Sequence, residues 1–305
     1  MPVFLIAGGT GLIGARLTDL LRNTGHAVRI LSRQPKGPGQ YAWDPATGRC
    51  DAAALEGVDY LINLAGAGIA DRRWTPARKQ EIRDSRVNAA ATLARALRDT
   101  GVRPRAYVGA SAIGIYGNTG EQWNREADPP GAEGFMPPVS VDWENSHRAV
   151  ADLGVRTVVP RIGIVLSREG GALPEMEKPV HFGLGAYFAD GRAWYSWIHI
   201  DDLCRMLLFA LENEHLAGVY NAVAPHPARN IDLVKAIARA MGKTALFAPA
   251  PAFALRLLLG EMADVVLNSN RVSADKILEA GFTFSFPELE AALRNIYSGM
   301  AANPA

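Results

Sequence analysis

The chain has 305 residues, 49% hydrophobic and 21% charged, with a formal net charge of +1. A chain of this size buries a large core as one extended domain or two smaller ones, and its near-zero charge gives no electrostatic case for nucleic acid or an anionic membrane as partner. Two cysteines, Cys50 and Cys204, lie far apart without CxxC spacing and read as free thiols of a reducing compartment.

A strand pattern begins almost at the first residue, leaving no room for a basic leader and cleavage site. No apolar run reaches the roughly 18 residues of a membrane span. The expectation is a soluble cytoplasmic protein. The apolar run "VFLIAG" (3–8) leads into "GGTGLIG" (8–14) and a helical pattern over 12–24. In a strand–turn–helix context, Gly8 permits the tight turn, Gly11 lets backbone approach a pyrophosphate, and Gly14 lets the helix pack on the sheet. Thr10, Leu12 and Ile13 complete that turn, whose N–H groups and helix dipole face the phosphates. The next strand, "AVRILS" (27–32), ends in Ser32 and Arg33, followed by Lys36. An acid that would accept from an NAD ribose is missing there, and a guanidinium stands where a 2′-phosphate would bind. NADP is therefore the expected cofactor.

"YLINLAG" (60–66) reads as the fourth strand of the fold, with Leu64, Ala65 and Gly66 bringing backbone to the cofactor. A helix over about 75–100 follows. Its Glu81 and Ser85 share a face with Arg86 adjacent. Glu81 and Arg86 are candidates for ribose or phosphate contact, or for a solvated ion-pair face. "RAYVGAS" (105–111), a helix over about 140–153 and "RTVVPRIGIVL" (156–166) continue the alternation. Unbroken apolar strands between helices predict a right-handed, Rossmann-like doubly wound parallel α/β sheet. Arg161 inside an apolar run is costly to bury unpaired, so it meets cofactor or substrate at the strand tip or sits in a structural ion pair.

Beyond residue 170 the pattern turns to glycine, proline and aromatics. The stretch 181–198 is a candidate substrate lid or a packed connector. A helix capped by Asp201 or Asp202 and the strand "GVYNAVA" (218–224) follow, then helices at 231–242, about 251–267 and from Pro287. The amphipathic 251–267 stretch reads chiefly as core, with a dimer face or partner groove as the other reading. The predicted division is a nucleotide-binding domain over 1–170 with returning segments at about 196–225, and a smaller substrate-side region over 171–195 and 226–305. The histidines show no metal spacing.

Several motifs together resemble the extended short-chain dehydrogenase/reductase group: "GGTGLIG", "NLAG" (63–66), "SAIGIYG" (111–117) and "WIHIDDL" (197–203). More closely the chain is similar to its atypical "epimerase family" subgroup, sometimes labelled cell-division inhibitors. That likeness rests on "RRW" (72–74), "DSRV" (84–87), "DWE" (142–144) and the C-terminal "LLLGEMADVVL…AGFTFSFPELEAAL". The resemblance covers essentially the whole chain, and implies a Rossmann-like fold, NADP binding and a characteristic C-terminal domain. It also implies a Tyr followed four residues later by a Lys whose charge lowers the phenol pKa. None of the eight tyrosines has that Lys, and the expected positions fall near Met136 and Ser140. Candidates for the proton-handling role are Ser111, Tyr116 and His199, in that order. Ser111 lines the nicotinamide pocket or closes a strand end, and His199 is an acid–base group or a loop anchor. The sequence thus reads as an NADP-binding oxidoreductase or nucleotide-sugar-epimerase-like enzyme acting on a small molecule, as monomer or homodimer. The other reading is a noncatalytic NADP-binding sensor or interaction module.

Overall fold

The computed structural model describes residues 1–298; the last residues of the predicted C-terminal region lie outside these. Its contacts divide the chain into two units. One comprises Met1–Ala112, Pro138–Arg161 and Cys204–Tyr220; the other comprises Ile113–Pro137, Ile162–Leu203 and the chain from Asn221 onward.

In the first unit, β1 (Val3–Ala7) leads into α1 (Leu12–Asn23), and β2 (Ala27–Ser32) follows. The last four residues of β1 are buried, as a strand covered on both faces requires. Then come β3 (Gln40–Asp44), β4 (Arg49–Cys50) and β5 (Tyr60–Asn63). The helix α2 (Pro76–Thr100) has a clear start and stop: Thr75 accepts from the Arg78 amide, proline stands in the first turn, and Gly101 ends it at φ 72°. Further along lie β6 (Ala106–Gly109), β7 (Ser111–Ala112) and α3 (Met136–Ala151). The large sheet has the order Gly218–Ala222, Arg156–Ile162, β6, β5, β1, β2, β3, β4, with β7 pairing Arg156–Ile162 off that path. Pairing is parallel from β3 through β6 to Arg156–Ile162, and antiparallel between β3 and β4. The doubly wound parallel arrangement expected from the sequence is present. The strand order reverses between β1 and β5, and such a switch point is where ligands meet the strand tips of this architecture. Leu5, Leu31, Leu61, Leu93 and Tyr107 lie in one core cluster under it.

The second unit has its own core, in which Leu173, Val180, Trp197, Leu233, Ile237 and Leu293 are buried together. The helices Ala172–His181, Asn230–Ala240 and Leu289–Ser298 supply most of it. Strand Leu184–Phe188 pairs in parallel with Leu246–Ala250.

Four sequence expectations are corrected here. Residues 40–50 form the paired strands β3 and β4, so "NLAG" closes the fifth strand and not the fourth. These strands are two to five residues long around an Asp44-capped turn, too short for a periodic signal. The supposed loop 181–198 contains three strands: Leu184–Phe188, Trp194–Tyr195 and the start of Trp197–His199. The helix expected from an Asp201 or Asp202 cap begins at Ile200, with both acids inside its first turn. Finally, the 251–267 helix is broken. Ala252–Leu259 ends at Gly260 with φ 64°, and a short 3₁₀ turn precedes Asp264–Leu267. No residue of Ala252–Leu259 is buried, and Phe253, Leu257 and Leu258 are exposed, so this segment is not core.

Candidate functional site

At Gly8 and Gly14 the glycine turn leaves no room for a side chain. A Cβ on Gly14 would meet the Gly8 carbonyl oxygen at 2.2 Å, and one on Gly8, at φ +81°, would meet Leu64 backbone at 2.7 Å. Gly8 therefore touches the start of the "LAG" turn, and Leu64 itself donates its N–H to Ala7 at 2.9 Å. Helix α1 is preceded by Gly11, which offers no side-chain cap, and has no acid in its first turn. Gly11 donates its N–H to the Gly8 carbonyl at 3.1 Å, and the N–H groups of the first turn with the helix dipole suit an anion. A dinucleotide pyrophosphate fits this backbone cradle.

Around the second turn, α2 acts as a clamp. Ser85 Oγ accepts from the Ala67 amide at 3.0 Å, Arg86 Nη1 donates to the Ala67 carbonyl at 3.0 Å, and Arg78 Nη2 donates to the Gly68 carbonyl. Trp74 Nε1 donates to the Ile69 carbonyl at 2.8 Å. Arg86 is buried against Gly66 and over the Trp143 ring, yet bonds only the carbonyls of Ala67 and Ile82 and pairs with no carboxylate among the described residues. Burial pulls its pKa down to about 10, with the like charge of Arg78 adding to that effect. Glu81 is not near-neighbour to Ser85 by bonding. It accepts from Arg78 Nη1 at 2.7 Å and from Arg72 Nη2 at 3.5 Å. The Arg78 hydrogen bond, then the charges of Arg78, Arg72 and Arg33, hold its carboxyl below the usual range.

From the other side, a buried polar chain holds the same turn. Asn63 Oδ1 accepts from the Ala65 amide at 3.2 Å, and Asn63 Nδ2 donates to Tyr107 Oη at 3.2 Å. Tyr107 Oη lies 2.8 Å from His147 Nδ1, and His147 Nε2 lies 2.9 Å from the Ala110 carbonyl. A carbonyl only accepts, so Nε2 carries the proton and Nδ1 accepts from the phenol. Burial keeps this histidine neutral, with its pKa pulled down to about 4, and pushes the Tyr107 phenol up. Neither residue was a sequence candidate: Tyr107 reads as one more apolar strand residue, and His147 as a helical one.

At the tip of β2, Ser32 Oγ accepts from the Gln34 amide at 3.2 Å. Arg33 is exposed, lining a cleft with Trp43, Arg49 and Asp51.

Ser111, Glu144 and Arg161 meet at the end of β7 and the neighbouring strand. Ser111 Oγ donates to Glu144 Oε1 at 2.7 Å. Arg161 grips the same carboxylate through Nε to Oε1 at 2.8 Å and Nη2 to Oε2 at 3.0 Å. Ser111 is 1% and Arg161 6% exposed, so the acid neutralises a guanidinium that burial alone would make costly. Of the two readings the sequence left open for Arg161, the structural ion pair is present, and its partner is the last residue of "DWE". On α3, Met136 and Ser140 stand at the expected Tyr and Lys positions, and the buried Ser140 Oγ has no hydrogen-bond partner. Tyr116 and His199 belong to the second unit and are buried, unlike the partly exposed Glu144. Tyr116 Oη donates to Asn221 Oδ1 at 2.7 Å, and His199 Nδ1 accepts from the Asp201 amide at 3.0 Å while its ring stacks on Phe286.

Among the described residues no cluster of His, Cys, Asp or Glu is arranged to hold a metal, and no helix is long and apolar enough to cross a membrane. Cys50 and Cys204 are free thiols, and burial pushes the Cys50 thiol up to about 11.

Residues 4–222 match the model of the NAD dependent epimerase/dehydratase family, and residues 250–296 match a domain of unknown function, DUF1731. An epimerase family protein of Mycobacterium tuberculosis is 40% identical over 294 residues, covering 95% of this chain and 96% of the relative. The human epimerase family protein SDR39U1 is 37% identical over 295 residues, covering 96% and 98%. The crystal structure of that human protein (isoform 2) with NADPH has a TM-score of 0.89 at 36% identity, covering 97% of this chain and 99% of that one. A nucleoside-diphosphate sugar epimerase from Corynebacterium glutamicum has a TM-score of 0.79 at 31% identity, covering 98% of this chain and 59% of that one.

Proposed function

The chain belongs to the NAD-dependent epimerase/dehydratase family, and from that starting point we propose that it binds NADP and acts on a small molecule as an oxidoreductase or nucleotide-sugar-epimerase-like enzyme. The observation that carries this reading is the glycine turn, closed to side chains at Gly8 and Gly14, at an uncapped α1, followed at the tip of β2 by Arg33 in place of an acid. Gly8, Thr10, Gly11, Leu12, Ile13 and Gly14 take the pyrophosphate, and Ser32 and Arg33 take the 2′-phosphate. Leu64, Ala65 and Gly66 present backbone to the cofactor, with Glu81, Arg86 and Arg161 around it. The human relative's NADPH supports the choice of nucleotide. The cytoplasm is the proposed location, and monomer or homodimer the proposed state.

Bound NADP supplies hydride acceptance or donation. The chain must then manage the accompanying proton without a Tyr–Lys pair. Ser111 is the favoured group, because its Oγ already donates to a carboxylate: it accepts the substrate hydroxyl proton as its own passes to Glu144 Oε1. Arg161 holds that carboxylate in place. Tyr116 and His199 rank behind it: Tyr116 donates to the Asn221 amide oxygen and His199 accepts from a backbone amide. A noncatalytic NADP-binding sensor is the second reading, favoured by Met136 and Ser140 at the usual catalytic positions.

Titration calorimetry of wild type and Arg33→Ala with NADPH and NADH tests the assignment. A lost charge-assisted phosphate contact should weaken NADPH about 10- to 100-fold and leave NADH nearly unchanged. An equal loss for both nucleotides removes Arg33 from the 2′-phosphate.

A further inference from the structure

The second unit contains an aromatic–cation stack that the proposed cofactor site does not use. Strand Trp123–Asn124 runs parallel to Arg271–Val272 and sets Trp123 opposite Arg271. Trp194–Tyr195 runs antiparallel to Ala228–Arg229 and sets Trp194 opposite Arg229. The Asn270 amide donates to the Trp194 carbonyl at 2.9 Å, joining the two ribbons. The side chains consequently alternate in one column. Arg271 lies 4.2 Å from the Trp123 ring centre and 4.4 Å from that of Trp194, and Arg229 lies 3.8 Å from Trp194.

The two guanidinium groups are not equivalent. Glu121 accepts from Arg229 at 2.7 and 2.8 Å and from Trp194 Nε1 at 2.9 Å, so Arg229 has its counter-ion. Arg271 has none: among the described residues its side chain makes no hydrogen bond and no ion pair, and its Nε is buried without a partner. The residue is nevertheless partly exposed. With two indoles packed on the guanidinium and Nε enclosed, the open part is the Nη edge. A guanidinium held this way has lost water from its faces and little rotamer freedom remains to be lost on binding. Its edge matches two oxygens of a phosphate or carboxylate. Glu121, with the charges of Asp232 and Asp190 behind it, serves Arg229 and makes no bond to Arg271.

We propose that the Nη edge of Arg271 is a receptor for the oxyanion group, phosphate or carboxylate, of a ligand bound by the second unit. This gives the DUF1731 segment, which contains Arg271, a binding role independent of the nucleotide assignment.

The flanking indoles report on the site, so the test is tryptophan fluorescence of the full chain titrated with inorganic pyrophosphate and, separately, succinate. At least one anion should give a saturable change, weakened about tenfold or more in Arg271→Met. The glycine turn also attracts pyrophosphate, but Arg271→Met leaves binding there untouched. Which anion binds more tightly tells phosphate from carboxylate. Arg271→Lys keeps the stem between the indoles and loses the planar fork. It should be weakened similarly, and it carries the test if the methionine variant fails to fold. Absence of saturable binding of either anion in wild type, or equal affinity in wild type and the variant that folds, overturns the proposal.

Discussion

Single residues account for the second turn's rigidity. His147 donates to Ala110 and accepts from Tyr107, which accepts from Asn63, which accepts from Ala65; each buried polar group in that chain has its partner. The arrangement works only with a neutral imidazole. With the folded-state pKa near 4 and the ordinary value at 6.5, protons bind the unfolded chain first as pH falls. His147 therefore contributes nothing adverse above about pH 6.5, and stability declines between 6.5 and 4, by of order 3 kcal/mol at most. Denaturant unfolding across that range should show the decline, and His147→Leu should remove its share of the slope. An unchanged slope would mean that the imidazole is not held neutral. The sequence disclosed the types of these residues but not their meeting, because Asn63, Tyr107 and His147 come from three elements 40 or more residues apart. The same holds for Glu144, whose motif was visible while its partners lay 33 residues before and 17 after it.

Elements were legible in proportion to the regularity of their pattern. The glycine turn, β1, β2, β5 and α2 could be read because an unbroken apolar run or a capped helix declares itself locally. The β3–β4 pair could not, being short and polar-edged. Gly14 shows what the readable part encodes. Gly14→Ala would place a methyl 2.2 Å from the Gly8 oxygen, forcing the turn apart. That variant should lose NADPH binding by well over tenfold while circular dichroism retains the α/β signature; binding at wild-type strength would contradict the cradle. The Ala252–Leu259 helix is the opposite case, since its apolar residues read as core and are exposed. Leu257→Ser should shift unfolding free energy by no more than about 0.5 kcal/mol. The buried Leu293, cut to alanine, should cost about 2–5 kcal/mol. A comparable cost at both positions would show that Leu257 is covered.

At the scale of the molecule, the strand order puts a reversal between β1 and β5, and the two glycine-bearing turns leave those two strands. Backbone amides of α1 and the residues clamping the second turn thus serve one half of the chain, while proton handling has no Tyr–Lys pair to rely on. Composition and periodicity reach the first conclusion. They stop short of the second, since the proposed proton handling rests on a serine–carboxylate–guanidinium contact assembled from β7, α3 and the strand beside them.

The most direct test of the central claim is the affinity of the purified wild-type chain for NADPH and NADH, measured by calorimetry in one buffer at one salt concentration. Saturable NADPH binding at least about tenfold tighter than NADH is the predicted result. No binding of either nucleotide, or equal affinity for both, would contradict it.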